Sequence, residues 1–561
     1  MNILSKKYHR INPWIKGFIW FSGALIILIV LLALLVNFFG DDYIARNLKE
    51  KVIKSSSGTY TIDLDNLNLN IFTGSVTINR LQINANTNAL KKSHSSPKNP
   101  SQTLYEGTVG ELHLSGLHLL RAIFGEKLEI GKLLIKKPNI IVINNPNKNT
   151  KKLKNKHHFS SVDSTIYADI SGTYHTLKLG SLVIQNAHLA FMQTGDTLSS
   201  IGRLNATLKH IKINRASVQS GRKFITRNIS LEAHHFTKIL SGRLNKITFK
   251  KLSISSRKHL IILDSLRLVP LYPKFKYSQK NGTQTDRINF TIPAVIMRGV
   301  DFVTFVKTGR FNSRMVEINN AKLEDFYNKM APAGTPDKKT LPNTAFINMR
   351  QKIKLNALKI NHSSVSYAEY HKHAPKAGKV TFKNLNATFK NVTNYRQAVK
   401  KGENVTIDAQ ARVMGKGLLT THFVFPLNTK NGFHKINGSL SSMPFTDFNP
   451  VLEYVAFARA DKGKLNHLYF QMSLNNDRSS GTVIMNYEHL KVSILNKKSM
   501  KRKGVLKNLV SFAANKFIIK KNNTPKKGMR TGKIAFKRDQ TKGIFNYWWK
   551  SLLSGIKNSI K

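Results

Sequence analysis

Histidines, acids and lysines set what chemistry this chain could attempt, because it has 19 histidines and no cysteine. Thiol nucleophiles, thiolate metal sites and disulfides are therefore excluded. The histidines form three suggestive groups: His157 beside His158, His234 beside His235, and His371-x-His373. Neighbouring strand residues point to opposite faces, so only the last spacing puts two rings on one face. No carboxylate cluster accompanies any group to complete a hard metal site, and the helical histidine spacing of zinc motifs is absent. Solvated loops account for them more simply. Acids are scarce, 29 against 90 Lys+Arg. Asp63 and Asp65 share a face if their segment is a strand, and Glu369 has a similar setting. Such carboxylates can serve as general acid and base. No Gly-rich phosphate loop or nucleophile elbow stands near them, and surface charge is the simpler reading. The expectation is a protein that is not an enzyme and takes no cofactor or metal.

The formal net charge is +61. Such an excess attracts polyanions: nucleic acid, or anionic lipid head groups and other envelope phosphates. The lysines are spread along the chain, which also fits a merely solvated basic face. The runs at 151–156 and 497–503 lack the interleaved aromatics that stack bases. Nucleic acid is not expected as a partner.

What must position any site is a membrane anchor and a long run of strands. Residues 17–39 (GFIWFSGALIILIVLLALLVNFF) carry no charge. As a helix they would rise roughly 34 Å, enough to cross a bilayer core. The run is longer than a signal-peptide core and ends without a small-x-small cleavage site, so an uncleaved anchor is expected. Lys6, Lys7, Arg10 and Lys16 precede it, and Asp41 and Asp42 follow. Positive charge stays inside, which makes 1–16 a cytoplasmic tail and exports the rest. The expected location is the inner membrane, single-pass, with the bulk of the chain periplasmic. All four tryptophans lie near the ends: Trp14 and Trp20 by the anchor, Trp548 and Trp549 near the C-terminus. Tryptophan favours lipid–water interfaces, so these four are membrane-interface candidates.

Residues 41–57 show helical spacing and predict a membrane-exit helix. From 58 the period becomes two, the mark of strands with one apolar face. A short unit recurs: two alternating apolar residues, a two-residue break, two more. It appears as VTINRLQI (76–83), LHLSGLHL (112–119), LEIGKLLI (128–135), LKLGSLVI (177–184), ITFKKLSI (247–254), LIILDSLRL (260–268) and VTFKNLNATF (380–389). The break shifts the phase by one residue, and a bulge or kink would keep one face apolar across it. Polar inserts at 91–103, 144–161, 274–287 and 331–343 predict loops. The β domain is placed at 58–495, with a basic, amphipathic, helical region over 496–561. There, 504–521 and 543–560 can each lie in a membrane interface or cap the sheet.

The segment ARNLKEKVIKSSSGTYTIDLDNLNLNIFTGSVTINRLQI (45–83) resembles the start of AsmA-like proteins, the group of TamB- and YhdP-type envelope proteins. GSLSSMPFTDFNPVLEYVAFARADKGKLNHLYFQMSLNNDRSSGTVIMNYEHLKVSIL (438–495) is similar to the C-terminal part of AsmA-like and Bacteroidota domain-of-unknown-function relatives. The resemblance is specific at these two ends, and the middle has no motif to match. It implies a mainly β fold: an elongated, twisted, curved β-sheet groove with an apolar lining. It also implies roles in phospholipid movement and outer-membrane integrity, and it carries no catalytic residues.

Physics gives such a groove a use. Acyl chains can fill an apolar trough, each buried CH₂ contributing about 0.8 kcal/mol. A lysine rim can hold phosphate head groups in water. The candidate groove residues are Ile62, Leu64, Val76, Ile78, Leu177, Leu179, Leu182 and Ile184. The expected partners are the inner membrane, phospholipid or another acyl lipid, and anionic envelope lipids or outer-membrane proteins. Two alternatives stand beside the lipid reading. One is a non-catalytic β scaffold binding envelope partners through its basic surface; the other is an anchored envelope hydrolase.

Overall fold

The computed structural model describes residues 60–561 except 71, 87–102, 119–126, 145–174, 194–195, 215–227, 335–337, 430, 498 and 503–518, with a few residues between 46 and 59. The predicted anchor, Trp14, Trp20, the pair His157–His158 and most of the amphipathic segment 504–521 lie outside them. No described helix is long and apolar enough to cross a membrane. The fold is mainly β, one mixed and mostly antiparallel sheet of 23 strands with a C-terminal helix. Its residues divide into two compact units. The first holds 1–239, 248–263 and 300–309, the second 240–247, 264–299 and 310–561.

In the first unit β1 (Tyr60–Asn70) and β2 (Ser75–Ala85) form a hairpin. β3 (Thr103–Val109) and β4 (Glu111–Leu117) both pair with β2, as one strand broken at Gly110. β5 (Lys127–Lys136) and β6 (Asn139–Asn144) are again one strand, broken at Lys137 and Pro138. Both run parallel to β7 (Thr176–Gln193), which turns back into β8 (Asp196–Asn214) and then β9 (Asn228–Ile239). β10 (Asn245–Ser255) and β11 (Leu260–Pro270) follow.

The second unit repeats that device. β13 (Phe311–Asn319) and β14 (Lys322–Asn328) are broken at Asn320, pair antiparallel with β12 (Asp286–Arg298), and run parallel to β15 (Ile353–Tyr370). Antiparallel strands continue: β16 (Gly378–Thr393), β17 (Asn404–Val413), β18 (Gly417–Pro426), β19 (His434–Leu440), the short β20 (Met443–Pro444), β21 (Ala458–Leu474), β22 (Arg478–Ile494) and β23 (Thr531–Lys537). A parallel return needs a connection of a dozen residues or more. The polar inserts at 144–161 and 331–343 fall in these two connections, so their length has a topological reason.

Some of the two-residue breaks carry a left-handed residue, and only some of them shift the register. Gly116, Ser265 and Asn384 stand in them with φ of +68°, +54° and +51°. At Lys383–Asn384 the pairing of β16 with β17 slips. In β7 the burial follows the sequence: Leu177 and Leu179 buried, Gly180 and Ser181 not, Leu182 and Ile184 buried, Gln185 and Asn186 exposed, Ala187 and Leu189 buried. One residue of such a break takes the left-handed conformation, which Gly, Asn and His tolerate best. His210, His235, His362 and His489 all occupy such positions. Where several breaks align, backbones close up: a Cβ on Gly180 would lie 2.4 Å from the carbonyl oxygen of Gly131.

Two predicted boundaries change. The insert at 274–287 contains a helix, Lys274–Asn281, whose Phe275 meets Phe326 and Tyr370 edge-on at 5.6 and 5.0 Å. Its short apolar spacing is masked by lysines. The region 496–561 is not helical throughout, since it contributes β23. Ile534 and Phe536 alternate there with lysines, a pattern too short to register against a basic background.

Candidate functional site

The largest apolar cluster of the first unit gathers residues from β1 to β9. All eight candidate groove residues belong to it. Ile62, Val76, Ile78, Leu177, Leu179, Leu182 and Ile184 are buried, and Leu64 packs against them half-buried. These side chains fill the space between one another. The structure places them in a cluster of buried apolar residues.

The second unit is different along its length. Its last strands are closed by the helix Ile544–Ser559, whose Tyr547, Trp548, Leu552 and Ile556 join the cluster of β19, β21, β22 and β23. Trp548 is held inside: its indole Nε1–H donates to Nε2 of the fully buried His434 at 3.1 Å, while Nδ1 of that ring meets the Gly432 carbonyl at 2.9 Å. This arrangement fixes a neutral imidazole, and burial lowers its pKa. Trp549 points outward, 45% exposed, one turn from Phe545 at 63%. Of the C-terminal interface candidates, then, one is a core contact and one faces solvent.

Across β12 to β16 the apolar face is neither sealed nor bare. Phe290 pairs with Leu323, Leu323 with Val365, and Val365 with Phe382. All four are half-buried. The next row reads Ile288, Asp325, Tyr367, Val380, and the one beyond it Asp286, Tyr327, Glu369, Gly378. Ile288 is 36% exposed. The face thus passes from apolar to polar within three rows. The polar end is closed by the turn at 445–456: a Cβ on Gly378 would lie 2.6 Å from a Val455 methyl carbon.

Glu369 anchors the polar end and is only 6% exposed. Burial alone would raise its pKa, but hydrogen bonds from His371, Lys329 and Tyr367 overcome that and hold it at about 2. The Tyr367 hydroxyl donates at 2.7 Å, and His371 Nε2 lies 2.5 Å away. Lys329 forms an ion pair with the same carboxylate. The Tyr367 hydroxyl is pushed far up in turn, chiefly by burial. Asp325, on the neighbouring row, behaves oppositely. Burial, then the charge of Asp286, raises it to about 7, and its buried Oδ1 has no hydrogen-bond partner. Lys339 pairs with Asp286 at 3.2 Å. Glu369 is too acidic and too fully engaged to move protons near neutrality. Asp325 has the right pKa, but no nucleophile or phosphate-binding loop faces it among the described residues.

The histidine and acid candidates resolve as follows. His371 joins Glu369, but β15 ends at Tyr370 and His373 turns away with φ of +72°, so the two rings do not share a face. His235 takes φ of +55° with the register of β8 and β9 unbroken around it, and His234 bonds Glu232 at 2.7 Å. Asp63 and Asp65 are exposed and meet Lys49 and Arg80 at 3.3 and 3.8 Å. Among the described residues, no three His, Asp or Glu side chains converge as metal ligands would. Sequence reasoning singled out Glu369 but missed Asp325, whose signal was an acid at an inward position of an alternating strand (KLEDFYN).

No family model matches the chain, and no curated protein matches its sequence.

Proposed function

We propose that this chain is a non-catalytic, membrane-anchored envelope protein that holds acyl lipid against the half-covered apolar rows of β12 to β16. The observation that carries this reading is the row Phe290, Leu323, Val365, left partly exposed beside Phe382, which packs against the cluster that the helix closes. Large apolar side chains are kept half-exposed at a cost unless something apolar covers them. A charge of +61 on the whole chain favours an anionic amphiphile. The AsmA-like resemblance and the apolar run at 17–39 agree with an inner-membrane location and a role in envelope integrity.

The test is lipid analysis by mass spectrometry of the purified full chain and of Leu323→Asp and Val365→Asp. Lipids around the anchor are common to all three, so the difference reports the face. The expected result is loss of one lipid class from both variants with their circular dichroism unchanged. Folded variants that carry the wild-type lipids would overturn the reading. The sealed cluster of the first unit supports a second reading, a non-catalytic β scaffold that meets envelope partners through its basic surface.

A further inference from the structure

The opposite face of the second unit carries a feature unlike the rest of this basic molecule. On β16, β17, β18, β19 and β21, the residues Asn386, Gln410, Thr420, Ser439 and Tyr469 pair in a line from strand to strand, with only the first step crossing a bulge. A second line beside it runs through Thr388, Asp408, His422 and Asn437. Together they line a shallow concavity of about 430 Å³. Among the described residues no Lys or Arg lines it, and Lys390 reaches its rim, 3.9 Å from Asp408 Oδ2. Its single acid is already matched, with His422 Nδ1 at 2.6 Å from Asp408.

Three observations define what would fit. Apart from Asp408 and His422, the polar lining is amide and hydroxyl, able to donate and accept at once. The side chains of Thr388, Gln410, Thr420, Asn437 and Ser439 have no hydrogen-bond partner among the described residues, so their bonding capacity is unspent. At one end Tyr469 stands 57% exposed, its ring 5.7 Å from that of His467. An exposed aromatic ring on a solvated sheet face offers an apolar platform with a polar tip.

We propose that this face is a binding site for a neutral oligosaccharide. A sugar ring has hydroxyls around its edge and C–H groups on its faces. Its edge matches paired amides and hydroxyls, and its face matches a tyrosine ring. Adjacent strands stand about 4.8 Å apart, comparable to one sugar unit, so a chain laid across the strands meets a fresh polar pair at each step. The nearest cation, Lys390, is turned to Asp408 and not left free over the concavity, which disfavours phosphate, sulfate and nucleic acid as ligands. This inference is independent of the lipid reading, which concerns the other face.

The test uses the full chain in a detergent without a sugar head group. Binding is measured on arrays of neutral gluco-, manno-, galacto- and N-acetylglucosamine tetrasaccharides, in about 0.5 M salt to suppress general charge attraction. At least one neutral class should be retained. Tyr469→Ala and Gln410→Ala should each weaken it by about tenfold or more while thermal unfolding stays as in wild type; both side chains are exposed, so the variants are expected to fold. Retention of no neutral sugar, binding that vanishes at this salt, or variants that bind as wild type would each overturn the proposal.

Discussion

At the scale of single residues, two carboxylates one and two rows from the apolar row have opposite fates, and their partners decide which. Glu369 is more deeply buried in the sheet than Asp325, yet it is the ionised one, because three donors converge on it. Asp325 has an unpartnered buried oxygen and a pKa raised to about 7. Linkage gives the sign. The unfolded chain releases this proton near the usual 3.8, whereas the folded chain keeps it to about 7. The stability Asp325 contributes is therefore complete below the lower value and is lost as pH rises towards the higher one. Asn has nearly the same shape and does not titrate. Asp325→Asn should match wild type in urea unfolding near pH 4 and exceed it by about 2 kcal/mol at pH 8, after allowance for partial exposure. A gap between the two proteins that does not change with pH would show that the carboxyl is not held neutral.

At the scale of elements, the bulge is the recurring device, and asparagine secures it. A bulge leaves one amide out of the ladder. The amide of Asn186 donates to Asn205 Oδ1 at 2.8 Å, that of His362 to Asn386 Oδ1 at 3.0 Å, and that of His489 to Asn522 Oδ1 at 2.7 Å. These bonds lie at solvent-exposed positions, so removing the acceptor costs only the net value of one hydrogen bond. Asn386→Ala should lower stability by about 0.5–1 kcal/mol in denaturant titrations, against at most a few tenths for a control such as Lys383→Ala. Equal effects would show that the amide finds another partner. Much of this layer was legible in sequence, since a two-residue break in an alternating pattern has few other solutions. The asparagine clamps were not legible, because each spans two strands whose register only the fold sets. The parallel returns were not legible either. Nothing local separates the insert before β7 or β15 from a long hairpin loop. The row of Phe290, Leu323 and Val365 has the same alternation as the sealed core of the first unit, and only the fold shows which of the two stays partly exposed.

At the scale of the whole molecule, one sheet serves two purposes in each compact unit. In the first unit its apolar face from β1 to β9 is taken up by a buried cluster. In the second it is closed by the C-terminal helix over the last strands and left half-covered over β12 to β16. Its other face offers hydroxyls and amides. The lipid account thus depends on a difference between two apolar surfaces that look alike in sequence. A photoreactive benzophenone amino acid placed singly at Leu323, Val365, Ile78 or Ile184 in intact cells measures that difference, with adducts identified by mass. Lipid adducts should form at Leu323 and Val365 and be absent at Ile78 and Ile184. Adducts at none of the four, or equally at all of them, would contradict the account.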